Sequence, residues 1–186
     1  MLQDSLVRRA CGTATRLLTL QLSGRNIASH LLRTNRYVVK LGSRNALRSP
    51  LANVFSAGGN LGTVEVDVSK PDTLARAFEH ADVVISLAGR LQASQHEFEE
   101  LQWRGAGNVA RAAREAGASL VHFSAIGADA QSSVPYWRTK ALGETEVLRE
   151  HPEATVIRPS LIFGPGNEFG PGDEFFGVCQ RCIRSC

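Results

Sequence analysis

Short runs of β-branched residues alternate with longer amphipathic segments along most of the chain, and this alternation constrains the fold more than any other feature. Four runs have the apolar, β-branched character of strands: 63–66, 83–87, 120–123 and 154–157. Helical periodicity predicts helices over 71–80, 98–113 and 135–150. Because apolar strands that alternate with helices form parallel sheets covered on both faces, the sequence predicts a doubly wound α/β sheet.

The first forty residues continue the same alternation. They predict a strand over 17–22, a helix over 24–32 and a further strand at 37–39. We therefore assign 17–165 to one doubly wound domain, whose ligands are expected beyond the carboxyl ends of the strands. Residues 166–186 hold most of a duplicated Gly/Pro loop and a Cys-rich tail, so we expect an incomplete sheet without a full substrate domain.

Charge is distributed unevenly along the chain. Residues 1–64 contain nine Lys or Arg and one acid, whereas residues 65–186 contain twelve Lys or Arg and seventeen acids. Because Arg-rich, acid-poor segments are typical of organelle import signals, we interpret 1–32 as a mitochondrial targeting segment that overlaps the first strand and helix. The alternatives are an ordinary basic surface or an N-terminus spliced from the wrong exon. No aromatic residue is interleaved with the basic ones before Tyr37, which argues against nucleic-acid binding.

Membrane and metal sites have little support in the sequence. No apolar run approaches the ~20 residues that cross a bilayer, so no transmembrane segment is expected and only a peripheral position at the inner membrane is open. Cys179, Cys182 and Cys186 crowd the end of the chain. Their nearest histidine is His151, beyond the Gly/Pro loop, so a fourth ligand is missing and we expect no metal site.

Tyr136 and Lys140 form the strongest chemical signal. They stand four residues apart on a predicted helix, so their side chains share one face. A neighbouring ammonium favours the phenolate and is expected to lower the pKa of Tyr136, as a tyrosine acid/base requires. Lys140 is also placed to hold a nucleotide ribose. The alternative is that Tyr136 and Lys140 are an ordinary residue pair on an exposed helix surface. The preceding strand, which bears Ser124, favours a functional site.

Six short motifs occur in order between residues 59 and 173. They are Val66-Asp67-Val68, Val83-Val84-Ile85-Ser86-Leu87-Ala88-Gly89, Gly107-Asn108-Val109-Ala110, Val121-His122-Phe123-Ser124-Ala125, Tyr136-x3-Lys140 and Ile157-Arg158-Pro159-Ser160-x3-Gly164. As a set they resemble the extended and atypical short-chain dehydrogenases/reductases related to NAD-dependent epimerases and dehydratases. The runs 122–129, 136–144 and 157–166 are most similar to the reductase-like accessory subunits of mitochondrial respiratory complex I and their bacterial relatives.

This resemblance implies a Rossmann-like fold that binds NADP(H) or NAD(H). It assigns the adenine contact to Asp67 and Val68, and the nicotinamide side to Leu87, Ala88 and Gly89. Pro159 and Ser160 follow the last nucleotide-contacting strand, and the family's catalytic positions, which also contact the cofactor, fall on Ser124, Tyr136 and Lys140. Arg44, soon after the second strand, is placed to pair with a 2′-phosphate and so favour NADP, with an ordinary basic residue as the equal alternative.

Two departures from the family pattern bear on the site. If Gly24 is the third glycine of the phosphate-binding turn, the first two positions are Leu18 and Gln21, whose side chains would occupy the pyrophosphate cradle. Ser124 stands a turn early, since the epimerase-type hydroxyl position falls on Ile126. We therefore expect weak or absent dinucleotide binding.

Together these features predict a reductase-like domain in the mitochondrial matrix. It would act as an accessory or assembly subunit of complex I, bound to other complex I subunits and without turnover. The alternative is an active NAD(P)-dependent oxidoreductase or nucleotide-sugar epimerase, in which Tyr136 donates the proton, Lys140 orients ribose and tyrosine, and Ser124 polarises the carbonyl. A third interpretation is a truncated or mis-spliced product without a function of its own.

Overall fold

Six parallel strands form one sheet in the computed structural model, which describes residues 13–18, 22–44 and 61–162. The strands are β1 (Thr13–Leu18), β2 (Tyr37–Ser43), β3 (Leu61–Glu65), β4 (Val83–Ser86), β5 (Ser119–Phe123) and β6 (Thr155–Ile157). Their order across the sheet is β3-β2-β1-β4-β5-β6, and all neighbours are parallel. This confirms the predicted doubly wound fold, whose strand order reverses between β1 and β4.

Described helices connect β1 to β2, β3 to β4, β4 to β5 and β5 to β6. They are α1 (Leu22–Arg33), α2 (Pro71–Phe78), α3 (Gln95–Phe98), α4 (Gly105–Glu115) and α5 (Pro135–Glu150), and a π-helical turn (Glu99–Arg104) joins α3 to α4. Local sequence explains where several begin. Prolines occupy the first turns of α2 and α5, where a missing N–H costs nothing. The Ser94 hydroxyl and the Glu97 carboxylate satisfy each other's backbone amides at the start of α3.

The larger apolar cluster lies between one face of the sheet and helices α2, α4 and α5. Its fully buried members come from both layers: Leu74, Phe78, Val84, Val109, Ala113 and Val147. Each large side chain of this kind stabilises the fold by roughly 1.5–3 kcal/mol relative to an exposed one. On the opposite face, α1 places Ala28 against Val39 and Leu41 of β2. Helices on both faces explain why the strands are apolar throughout.

The first strand differs from its prediction. We expected a strand over 17–22, but β1 ends at Leu18 and α1 begins at Leu22. Leucine-rich sequence suits a helix as well as a strand, whereas the threonines at 13 and 15 favour a strand. The position of β1 is fixed by backbone pairing to β2 on one side and β4 on the other. The other described elements begin within three residues of their predicted starts when α3, the π-helical turn and α4 are counted as the one helix predicted from residue 98.

Candidate nucleotide-binding site

The carboxyl edge of the sheet gathers most of the predicted site residues. Those that follow strands are Asp67 and Val68 after β3, Leu87, Ala88 and Gly89 after β4, Ser124 after β5, and Pro159 and Ser160 after β6. Tyr136 and Lys140 reach the same edge from the first turns of α5. Gly24 lies buried at the start of α1, after β1. Gln21 lies outside the described residues.

Lys140 contacts both the end of β5 and the segment that follows β4. Only 6% of Lys140 is exposed, and its Nζ donates a hydrogen bond to the carbonyl of Phe123 at 3.0 Å. A Cβ at Gly89 would lie 3.2 Å from the same Nζ, so the glycine allows the ammonium to sit against the segment after β4. Burial lowers the pKa of Lys140 to about 8, although the Glu144 carboxylate opposes the shift.

Tyr136 is half-buried in a small aromatic cluster at this edge. Its ring meets Phe98 edge-on at a centroid distance of 6.0 Å and Trp137 at 4.7 Å. Burial raises the pKa of Tyr136 above its ordinary value. The expected lowering by Lys140 is therefore wrong for this conformation, in which the ammonium is directed to the Phe123 carbonyl.

Ser124 faces into the protein. It is 5% exposed, and its amide donates to the Ile157 carbonyl at 2.8 Å. Burial raises the pKa of Glu144, but the hydrogen bonds and the charge of Arg158 outweigh it and hold that pKa below its usual range. The Ser124 Oγ itself is buried and has no hydrogen-bond partner among the described residues. The Arg158 Nε donates to Glu144 at 2.8 Å. Ile126, by contrast, is 67% exposed, so the side chain presented at the open edge beyond β5 is apolar.

The turn after β3 forms the other end of the site. The Asp67 carboxylate accepts hydrogen bonds from the Ser69 amide at 3.0 Å and the Ser69 hydroxyl at 2.7 Å. Burial raises the pKa of Asp67, but these bonds and the charges of Lys70 and Arg44 lower it overall. Arg44 is exposed, and its charge contributes to the lowering of the Asp67 pKa.

Three further buried or half-buried polar residues lie near this edge and were not assigned to the site from the sequence. Gln102 is 1% exposed and donates from Nε2 to the Arg90 carbonyl at 2.8 Å, just after the segment that follows β4. Asn108 donates to the Val68 carbonyl at 3.1 Å. His122 is 2% exposed, and neither ring nitrogen has a hydrogen-bond partner among the described residues. Burial, and then Lys140, lower its pKa to about 4. The sequence signal that could have identified these three residues is a polar residue within the otherwise apolar pattern of a helix or strand.

The described ranges contain neither a metal-binding cluster nor a membrane-spanning helix. No three His, Cys, Asp or Glu side chains lie together there as a metal ion would require. The described helices include none that combines the length and apolar character needed to span a membrane. Cys179, Cys182 and Cys186, like the duplicated Gly/Pro loop, lie outside the described residues.

A doubly wound sheet with polar groups, glycine and lysine at its carboxyl edge defines a dinucleotide-binding class of domain. Residues 23–161 match the NAD(P)H-binding family model, and the chain belongs to that family.

Two proteins of known name are similar to part of this chain. The chain is 39% identical over 108 residues to mouse (Mus musculus) NADH dehydrogenase (ubiquinone) 1 alpha subcomplex subunit 9, mitochondrial, covering 57% of this chain and 29% of that protein. It is 36% identical over 102 residues to the ceramide reductase of Caulobacter vibrioides, covering 54% and 32%. The chain thus spans about a third of the length of the curated relatives it matches.

Solved structures agree on the fold. The Bordetella bronchiseptica enzyme WbmG, in complex with NAD, superposes with a TM-score of 0.72 at 21% identity, covering 95% of this chain and 62% of that one.

Proposed function

We propose that this chain is the NAD(P)-binding domain of an accessory or assembly subunit of mitochondrial complex I, and that it binds NADP(H) or NAD(H) weakly and without turnover. The observation that carries the proposal is the arrangement at the carboxyl edge. Lys140 lies buried against Gly89 where a ribose would be held, while the Ser124 hydroxyl is buried and Ile126 takes the exposed position beyond β5. The site therefore retains groups that bind a nucleotide, while the Ser124 hydroxyl is buried rather than presented to a substrate.

The residues present fit a dinucleotide along most of its length. Asp67 and Val68 would lie against the adenine, with Arg44 toward a 2′-phosphate. Lys140 would donate to ribose hydroxyls beside Gly89, whose missing side chain leaves room for the ammonium. The segment 87–89 would lie on the nicotinamide side, with Pro159 and Ser160 beyond β6. The nicotinamide, when bound, would supply hydride transfer. The misfit expected from the sequence falls on Leu18, the last residue of β1, and on Gln21, which stand at the positions of the first two glycines.

Calorimetric titration of the purified protein with NADPH and NADH tests the binding proposal. We expect dissociation constants weaker than micromolar, with any preference for NADPH. The double substitution Leu18→Gly and Gln21→Gly should tighten binding, because removing both side chains opens the pyrophosphate cradle. Micromolar binding by the unaltered chain, or no gain in the double variant, would contradict the proposed impairment of the turn.

Mitochondrial location and complex I partners are proposed from the relatives. Mouse and Neurospora crassa proteins that resemble this chain are named as mitochondrial NADH dehydrogenase subunits. We propose a matrix-side position, peripheral to the inner membrane, reached through the basic segment 1–32. A reporter fused to 1–32 should enter mitochondria, and Glu substitutions of Arg8, Arg9 and Arg16 should abolish import. The full chain should co-migrate with complex I on native gels, and a cytosolic reporter or a free chain would contradict the proposal.

An active NAD(P)-dependent oxidoreductase is the second candidate. It is favoured by the helical placement of Tyr136 and Lys140 at the carboxyl edge and by the 36% identity to a ceramide reductase. We expect no NAD(P)H-dependent turnover of ketones, aldehydes, ceramide-type substrates or nucleotide-sugars, and no effect of Tyr136→Phe. NADPH oxidation that requires Tyr136 would establish the enzyme instead, because a phenol that protonates the substrate is lost in the variant.

A further inference from the structure

The turn after β3 is here called the adenine turn (Asp67, Val68, Ser69 and Lys70). Hydrogen bonds within the turn and from α2 hold it in place. The Lys70 amide donates to the Asp67 carbonyl at 2.9 Å. The hydroxyl of Thr73, on α2, accepts from the Asp67 amide at 3.0 Å. These bonds close the turn, but they leave the Val68 carbonyl free to be fixed by another element.

Helix α4 supplies that further contact. Asn108, forty residues along the chain, donates from Nδ2 to the Val68 carbonyl at 3.1 Å. Three residues earlier, Gly105 lets the helix approach the same residue closely, since a Cβ there would lie 2.8 Å from Val68 Cγ2. The missing side chain of Gly105 and the side-chain amide of Asn108 therefore both bear on Val68 in the adenine turn.

We propose that Asn108 is a positioning residue for the nucleotide site, which fixes the adenine turn from α4 without contacting the nucleotide. The inference rests on the proposed function insofar as Asp67 and Val68 contact the adenine. Gln102, two turns earlier, anchors the segment after β4 through the Arg90 carbonyl. The two amides thus hold opposite ends of the site from one continuous helical segment, and their losses should have different effects.

Amide hydrogen exchange of the nucleotide-free protein tests the positioning role directly. Asn108→Ala and Asn108→Asp both remove the donor, and the aspartate keeps the shape of the side chain. One lost hydrogen bond should speed exchange at Asp67, Ser69 and Lys70 by roughly 3- to 10-fold. Exchange across 87–91 should stay unchanged. Gln102→Leu should show the reverse pattern, and Gln95→Ala, which removes only an exposed bond to Glu99, should change neither segment.

Nucleotide fragments supply a readout that general destabilisation would not reproduce. The Asn108 variants should weaken binding of 2′,5′-ADP and NADPH by the same factor, whereas Gln102→Leu should weaken only NADPH. Unchanged exchange in the adenine turn, or equal acceleration of both segments by both variants, would overturn the positioning role. If the unaltered chain binds neither nucleotide at millimolar concentration, the binding proposal fails while the exchange pattern still decides the role of Asn108.

Discussion

Replacing Lys140 by methionine should change how the stability of the protein depends on pH. The ammonium is 6% exposed and makes one hydrogen bond, to the Phe123 carbonyl, so folding moves a charge out of water with little compensation. Its pKa is about 8 in the folded protein and about 10.4 in an unfolded chain. Between these values the unfolded state binds more protons, so the free energy of unfolding should rise by about 2 kcal/mol from pH 8 to pH 10.

Urea unfolding followed by far-ultraviolet circular dichroism, under reducing conditions at pH 8, 9 and 10, measures this rise. Lys140→Met should abolish it, because no buried ammonium remains to lose its proton. Lys70→Met removes an exposed lysine and should keep it. A wild-type stability that is flat across this range, or a rise of equal size in Lys140→Met, would refute the conclusion that Lys140 is buried as a charge.

Two further predictions concern buried groups. The pKa of His122 is about 4 in the folded protein and about 6.5 in an unfolded chain. Between pH 6.5 and pH 4 the wild type should therefore lose about 3 kcal/mol more stability than His122→Gln. Equal losses of the two proteins in urea titrations would contradict a buried neutral imidazole. Gly143→Ala would place a Cβ 2.0 Å from the Gln102 carbonyl oxygen, so it should cost about 3 kcal/mol or more. At Gly107 the atom nearest to an added Cβ is 3.4 Å away, so Gly107→Ala should stabilise the helix by about 0.5–1 kcal/mol. Similar unfolding midpoints for the two variants would refute the close approach of Gly143 to the Gln102 carbonyl.

The sheet could be predicted because each strand carries its own signal. Helix α5 occupies the predicted residues because Pro135 marks its start and its end falls just before Pro152. The first strand could not be placed, since the leucines after Thr15 satisfy the local preferences of strand and helix alike. Its position depends on pairing with β2 and β4, which local sequence does not contain.

The sequence could predict which segments lie at the carboxyl edge of the sheet. It could not predict the side-chain directions and pKa shifts at that edge as well. Parallel strands bring segments such as 67–68 and 87–89 to one edge wherever they stand in the sequence. Side-chain direction depends on tertiary packing. The burial of Ser124, and the direction of Lys140 toward the Phe123 carbonyl, follow from how α5 lies on the sheet. Spacing alone therefore predicted a lowered Tyr136 pKa, whereas burial raises it.

The proposed import signal and the fold share residues, and this limits how the signal can be processed. Residues 1–32 include all of β1, which pairs with strands on both sides, and nearly all of α1. Ala28 of α1 is fully buried against Val39 and Leu41. Removing the whole segment would leave β2 and β4 without their shared neighbour and expose part of the core, because edge strands and apolar faces need cover. A cleaved signal compatible with this fold must therefore end before Thr13, and the basic residues of α1 remain in the folded domain.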